Sequence, residues 1–203
     1  VEPGLTYAVF VAPGVIIGNA MFHAIFVSSW DLYHRVSGGQ CEAQLTAPVT
    51  ITEIALGEVA WATTRALLTT ASVGAFAAIM GQFDSPWAMG VLLAALLVGL
   101  EFGALGMIFA ALSPNMHVLS LVFTVVATPM FFFSGGFFPI ENLPDWLEPV
   151  AWALPLTPGV HLARGFATGE LTLTHLWAAL YMLGFTAAVF PVSVWLLKRR
   201  LIK

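Results

Sequence analysis

Charge is what this chain has least of. Only 9% of its residues are charged, 59% are hydrophobic and the mean hydropathy is +0.90, whereas roughly a quarter of the residues of a globular domain carry charge. A water-exposed globular surface is excluded, and the sequence reads as a membrane protein. The 7 Lys+Arg stand against 11 Asp+Glu, for a net charge of -4. With no basic stripe to neutralise phosphates, nucleic acid is excluded as a partner. No lysine occurs before Lys198, so no G-x-x-x-x-G-K-[ST] loop can form and the chain does not bind ATP by that route. The single cysteine, Cys41, excludes a disulfide framework and a cysteine-built metal site; in the cytoplasmic position expected for it, it stays reduced. H-E-x-x-H and G-x-S-x-G are absent. The histidines, His23, His34, His117, His161 and His175, are expected on both sides of the membrane and in its middle, which argues against shared ligation. The chain opens at Val1 without a basic, short-cored signal peptide, and a missing upstream segment is expected.

What is present is a series of apolar stretches of bilayer-spanning length. They predict an all-α integral membrane protein with five transmembrane helices, at about 7–30, 58–81, 87–112, 118–138 and 176–197. Tyr7 and Trp30 are placed as interfacial anchors of the first. Gly14 and Gly18 there form a G-x-x-x-G step, and Ala95, Gly99 and Gly103 a small-residue stripe in the third, both suited to close helix approach. Lys198-Arg199-Arg200 follows the last span directly, and Arg35 is the only basic residue between the first two spans. Both signals put their segments in the cytoplasm, so Val1 lies outside.

Between the first two spans, Gln40 to Thr46 predicts a short helix that ends before Pro48, and Thr50-x-x-Glu53 is a capping box opening the next helix. The product is a stiff cytoplasmic corner. Glu58, Trp61 and Arg65 share one face at the inner interface, where a snorkelling arginine beside a carboxylate and an indole is expected. Two ionisable side chains fall deeper. His23 reads as a bundle histidine or a proton relay. Glu101, mid-span, must face the bundle or a wet cavity; it is either a pathway or coupling residue or a protonated acid hydrogen-bonded between helices.

Ser113-Pro114 predicts a serine cap with proline in the first helical turn, and Pro129 a bend just before Phe131-Phe132-Phe133. The run then breaks at Ser134-Gly135-Gly136 and passes Pro139 into a proline-punctuated, amphipathic stretch. Pro144 and Thr157-Pro158 each predict a helix start, Pro155 the junction, and Gly169 the end of the second helix. Segment 139–170 is thus expected as a re-entrant helical hairpin, because irregular backbone at membrane depth survives only inside protein or along a wet cavity. Arg164 is expected to pair with one of Glu141, Asp145, Glu148 or Glu170.

Three stretches, YAVFVAPGVI, LTAPVTITEIALGEVAWATTRALL and TPMFFFSGGFFPIENLPDWLEPVAWALPLTPGVHLARGF, resemble the permease subunit of type-2 ABC exporters, and within them the nodulation lipo-oligosaccharide exporter group. The resemblance implies one ABC type-2 transmembrane domain over 1–203, in the bacterial inner membrane. It implies a homodimer bound to two cytoplasmic ATPase subunits that carry the ATP and Mg, with no cofactor in this chain and no enzymatic chemistry of its own. The cargo implied is an amphipathic glycolipid, a polysaccharide or a drug-like molecule. By the same resemblance the cytoplasmic segment 31–56 holds the coupling helix, with Glu42, Pro48 and Glu53 contacting or shaping the ATPase contact. The hairpin becomes an outer gate hinged at Gly135, Gly136, Pro139, Pro144, Pro155 and Pro158.

The family usually has six spans and begins with an interfacial helix, so a first span is expected to be missing, and an uncharged residue is expected where Glu101 stands. Glu101, His23, Phe131, Phe132 and Phe133 are the pathway candidates. The alternative function is an ion-coupled secondary transporter or channel using His23 and Glu101. An intramembrane enzyme built on Ser134 and His161 has no third orienting group, and a purely structural subunit gives no account of the hairpin.

Overall fold

The computed structural model describes residues 7–81, 86–140, 144 and 146–201, and these form helices and turns without a strand. The first helix, α1 (Tyr7–Phe26), runs through a π-helical turn at Val27–Asp31 into α2 (Leu32–Ser37). It is therefore longer than the expected span. The wide turn has a local cause: Ser28 Oγ donates to the Ala24 carbonyl at 2.8 Å and Ser29 Oγ to the Ile25 carbonyl at 2.5 Å, competing with the backbone ladder. Gly39, at φ +73°, turns the chain into α3 (Gln40–Gln44), and α4 (Ile51–Ile79) follows.

A 3₁₀ turn at Pro86–Gly90 leads into α5 (Val91–Leu112). Then come α6 (Met116–Val122), a second π turn at Phe123–Ala127, and α7 (Thr128–Phe133). Pro129 has no N–H to give, and the ladder widens just ahead of it instead of breaking. The cap of α6 is Asn115, whose Oδ1 accepts from the Val118 N–H at 3.0 Å; Ser113-Pro114 precede the helix and do not start it. The segment expected as a hairpin holds two short helices, α8 (Glu148–Ala153) and α9 (Leu156–Thr168), and α10 (Leu173–Leu201) is the last described element. The expected start at Pro144 moves to Glu148, because the Pro144 carbonyl takes the Leu147 and Glu148 N–H groups in a turn. Asp145 and Glu141 lie outside the described residues.

Among the described residues four helical stretches are long and apolar enough to cross a membrane: Val9–Ser37, Trp87–Leu112, Met116–Phe133 and Leu173–Leu201. Helix α4 is 29 residues long but carries Glu53, Glu58, Arg65 and several threonines, and is not among the four. It is nonetheless part of the bundle. Thr63, Thr64, Thr69 and Ser72 turn their hydroxyls back onto carbonyls of α4 itself, which removes the need for an outside partner.

Helix α5 is the central rod, packed by α1, α4, α9 and α10. Its small residues divide between neighbours. A methyl on Gly99 would lie 2.8 Å from Thr63 Cα of α4, and one on Gly106 would lie 3.0 Å from the Ile25 carbonyl of α1. At those points backbone meets backbone. The Gly14-x-x-x-Gly18 step of α1 receives no straight helix; Gly136 fills the first notch and the Phe131 ring the second.

Candidate functional site

The bundle has two chemically different ends. At one, Arg200 Nη1 donates to the Ala110 carbonyl and, at 3.0 Å, to that of Ser113, closing the exposed end of α5. Its guanidinium lies 5.0 Å from the Tyr33 ring, and the Tyr33 hydroxyl donates to the Pro114 carbonyl at 3.3 Å. The corner stands at this end. Thr50 is extended (φ -88°, ψ 154°), its Oγ1 accepts from the Glu53 N–H, and Glu53 Oε2 accepts from the Thr50 N–H at 2.7 Å and from its hydroxyl at 2.8 Å. The predicted capping box is present with both arms. The Thr50 N–H, and then its hydroxyl, hold the Glu53 carboxyl below the usual glutamate range.

Glu42 sits in α3, and Pro48 is exposed on the link to α4. Under the corner opens a cleft of about 890 Å³ lined by Asp31, Arg35, Gln44, Val49, Glu53 and Trp61 among others. Its floor holds an ion pair that the sequence did not suggest. Glu58, 3% exposed, accepts from Arg35 Nη2 at 2.5 Å. Arg65 instead lies over the Trp61 ring at 5.6 Å. The expected indole partner is correct, and the carboxylate has gone to a cation on the preceding helix. Arg35 being the nearest other cation was the available signal.

At the opposite end the hairpin closes over the start of α1. The Tyr7 hydroxyl donates to the Phe137 carbonyl at 3.2 Å, and Arg164 Nη2 donates to the Gly135 carbonyl at 2.7 Å while its guanidinium stacks on Phe10 at 3.8 Å. Gly135, at φ +80°, supplies the left-handed turn that aims this carbonyl. Pro155 stands at the cap position of α9, Pro158 is buried in its first turn, and Gly169, at φ +82°, ends it. The Thr157 hydroxyl donates to the Ala151 carbonyl of α8, tying the two short helices together and not capping α9. Pro139 is half-buried and Pro144 exposed.

Phe131 meets Phe22 at 5.1 Å and Phe137 at 5.0 Å, Phe132 stacks on Phe137 at 5.4 Å, and Phe133 is exposed. The histidines expected to lie apart include one adjacent pair, His161 of α9 and His175 of α10, with ring centroids 4.3 Å apart. Among the described residues no group of three His, Cys, Asp or Glu could hold a metal ion. The Ser134 hydroxyl donates to the Phe131 carbonyl of its own helix.

Between the two ends lies Glu101, 0% exposed, with neither carboxyl oxygen hydrogen-bonded among the described residues. The interhelical hydrogen bond that one of its two expected roles required is not made. His23 is half-buried in α1.

A helical bundle with several apolar helices of membrane-crossing length is a multi-pass membrane protein, and the family it matches makes it a membrane permease, a transport subunit. The chain belongs to the ABC-2 type transporter family, whose sequence signature matches residues 3–167. It is 33% identical over 201 residues to Nodulation protein J of Rhizobium leguminosarum bv. viciae, covering 98% of this chain and 78% of that protein. To Nodulation protein J of Rhizobium meliloti (strain 1021) it is 34% identical over 200 residues, covering 98% and 76%. A probable multidrug ABC transporter permease, YbhR of Escherichia coli (strain K12), is 22% identical over 202 residues, covering 98% of this chain and 54% of that one.

Proposed function

We propose that this permease is the membrane-spanning half of an ATP-driven exporter that carries an amphipathic molecule, a lipo-oligosaccharide, a polysaccharide or a drug-like lipid, out of the cytoplasm or the inner leaflet. In this reading 1–203 is a single transmembrane domain of an inner-membrane protein. Helix α4 is a fifth span, and the Arg200 end with the C-terminus faces the cytoplasm, in keeping with Arg35, Lys198, Arg199 and Arg200. Two copies of the chain work with two ATPase subunits, which hold the ATP and Mg.

One observation supports the reading: the capped corner and the pair of short helices α8 and α9 sit at opposite ends of the bundle, with α5 between them. A helix start held by two reciprocal hydrogen bonds transmits a push better than a loop does. Glu42, Pro48 and Glu53 would meet the ATPase there, and its closure would rock the spans. Gly135, Gly136, Pro139, Pro144, Pro155 and Pro158 would let the hairpin act as the outer gate. Phe131, Phe132 and Phe133 would line the passage, with His23 and Glu101 deeper.

The test is reconstitution with an ABC-type ATPase subunit from the same organism. Co-purification and ATP-dependent release of cargo from vesicles are expected. Cargo movement or nucleotide hydrolysis by the purified chain alone would overturn the reading.

A further inference from the structure

Glu101 is enclosed at 0% exposure, and neither of its oxygens has a hydrogen-bond partner. A buried polar atom without a partner calls for an explanation beyond packing. Its direction follows from the glycines around it. Gly99 and Gly103 press on Thr63, Val59 and Ala62 of α4, and Glu101, two residues from each, points to the other side of α5. Helix α10 packs there. Lower on the same seam, Ala104 and Met107 share an apolar cluster with Val189, Phe190 and Leu197 of α10. Higher, Val98 and Met182 both reach Gly159 of α9. Glu101 therefore stands between the levels of Met182 and Val189, within electrostatic reach of Tyr181.

Helix α10 is attached differently above and below this level. Below, Ser193 and Leu197 are buried and Arg200 holds the carbonyls of Ala110 and Ser113, so that half is fixed to α5. Above, the His175 ring packs on His161 at 4.3 Å and bonds its backbone, in a space that exists because Gly165 has no side chain. That half is tied to α9 by polar contacts and touches α5 through apolar ones. Between the two, Pro191 lies inside the helix, its missing N–H leaving one rung of the ladder unmade.

We propose that the hairpin half of α10 swings with α9 about Pro191 and uncovers Glu101, which then binds an uncharged hydrogen-bonding group of the cargo, a hydroxyl or an amide. The site deepens the export reading and rests on it. No ion pair or charged hydrogen-bond partner is set against the carboxyl, and the seam beside it is walled by Val98, Ala104, Met182 and Val189. Those walls suit the alkyl or ring C–H portions that accompany hydroxyls in an amphipathic molecule.

The test is modification of the full chain in lipid vesicles by dicyclohexylcarbodiimide, an apolar carboxyl reagent, followed by peptide mass mapping. Glu101 is expected to react, and the adduct to vanish in Glu101→Gln. Pro191→Ala restores the rung and is expected to slow the reaction roughly fivefold, the factor that one net hydrogen bond is worth; Pro191→Gly restores the same N–H but gives up a comparable amount of helix propensity, so its rate should fall nearer that of the parent. A short-chain alkyl glucoside should protect Glu101, and an alkyltrimethylammonium of equal chain length should not. No reaction at Glu101, or an unchanged rate in Pro191→Ala, overturns the hinge; protection by the ammonium probe alone overturns the ligand class. Since labelling needs no ATP, a failure of ATP-driven export would leave this result untouched, and the converse also holds.

Discussion

Gly14 of α1 and Gly136 beyond α7 meet backbone to backbone, but not symmetrically. A methyl on Gly14 would lie 2.5 Å from the Gly136 Cα, whereas a methyl on Gly136 would lie 3.5 Å from the Gly14 Cα. The first is an overlap with main chain that cannot rotate away, and the second is an ordinary contact.

Gly14→Ala is therefore expected to destabilise the protein by about 1–3 kcal/mol, as overpacking does, and Gly136→Ala by much less. Unfolding of the two variants in mild detergent, followed by near-UV circular dichroism, checks the order. Equal losses would show that the contact is not made through the Gly14 face.

Gly135 holds φ +80° and crowds Ile140 at 2.8 Å from a would-be Cβ. Gly135→Ala is expected to cost about 1–2 kcal/mol for the left-handed backbone, with the Ile140 contact adding to it. Because the same carbonyl takes the Arg164 guanidinium, the variant should also loosen the hairpin. Limited proteolysis between α7 and α8 should quicken; unaltered cleavage would count against the turn as the hairpin's anchor.

Glu58 is 3% exposed and its partner Arg35 30%, so removing either charge strands the other. Arg35→Met alone, or Glu58→Leu alone, is expected to cost about 1–3 kcal/mol, below the figure for a fully enclosed pair because Arg35 is partly solvated. The double variant should recover most of that loss. Additive losses in a double-mutant cycle would mean that the two side chains act independently.

Thr50→Ala removes one arm of the corner's cap and is expected to cost about 1 kcal/mol of local helix stability. The other arm sets a pH dependence. Hydrogen bonds from Thr50 hold the folded Glu53 carboxyl below its ordinary value. The stabilisation is thus complete above the unfolded glutamate value of about 4.3 and is lost as pH falls through the lower folded one. Protection factors at the first turn of α4, taken relative to intrinsic exchange at each pH, should fall on acidification in the parent and change less in Glu53→Gln.

Features held by near neighbours were legible in the sequence. The Thr50 and Glu53 cap, the helix end at Gly169 and the break at Ser134-Gly135-Gly136 each depend on residues a few positions apart. The membrane-grade stretches followed from composition, although α4 carries enough threonine and charge to fall outside the most apolar class. What stayed hidden needs the fold to bring distant residues together. Glu58 reaches Arg35, His161 reaches His175, and Arg200 reaches Ala110, each from one helix to another. Local competition caused the remaining differences: Asn115 outdid Ser113 as a cap because its side chain meets the Val118 N–H, and the Pro144 carbonyl formed a turn that delayed α8 to Glu148. The central position of Glu101 could be read; its lack of a hydrogen bond could not.

Because α5 is clasped by α1, α4, α9 and α10 at once, it is the one element that cannot shift without disturbing all its neighbours. In the export reading it would serve as a stator. Whatever displacement passes from corner to hairpin must do so by the surrounding helices sliding or tilting over this rod. The bare glycine notches along it are then the tracks that decide which helices move and which stay.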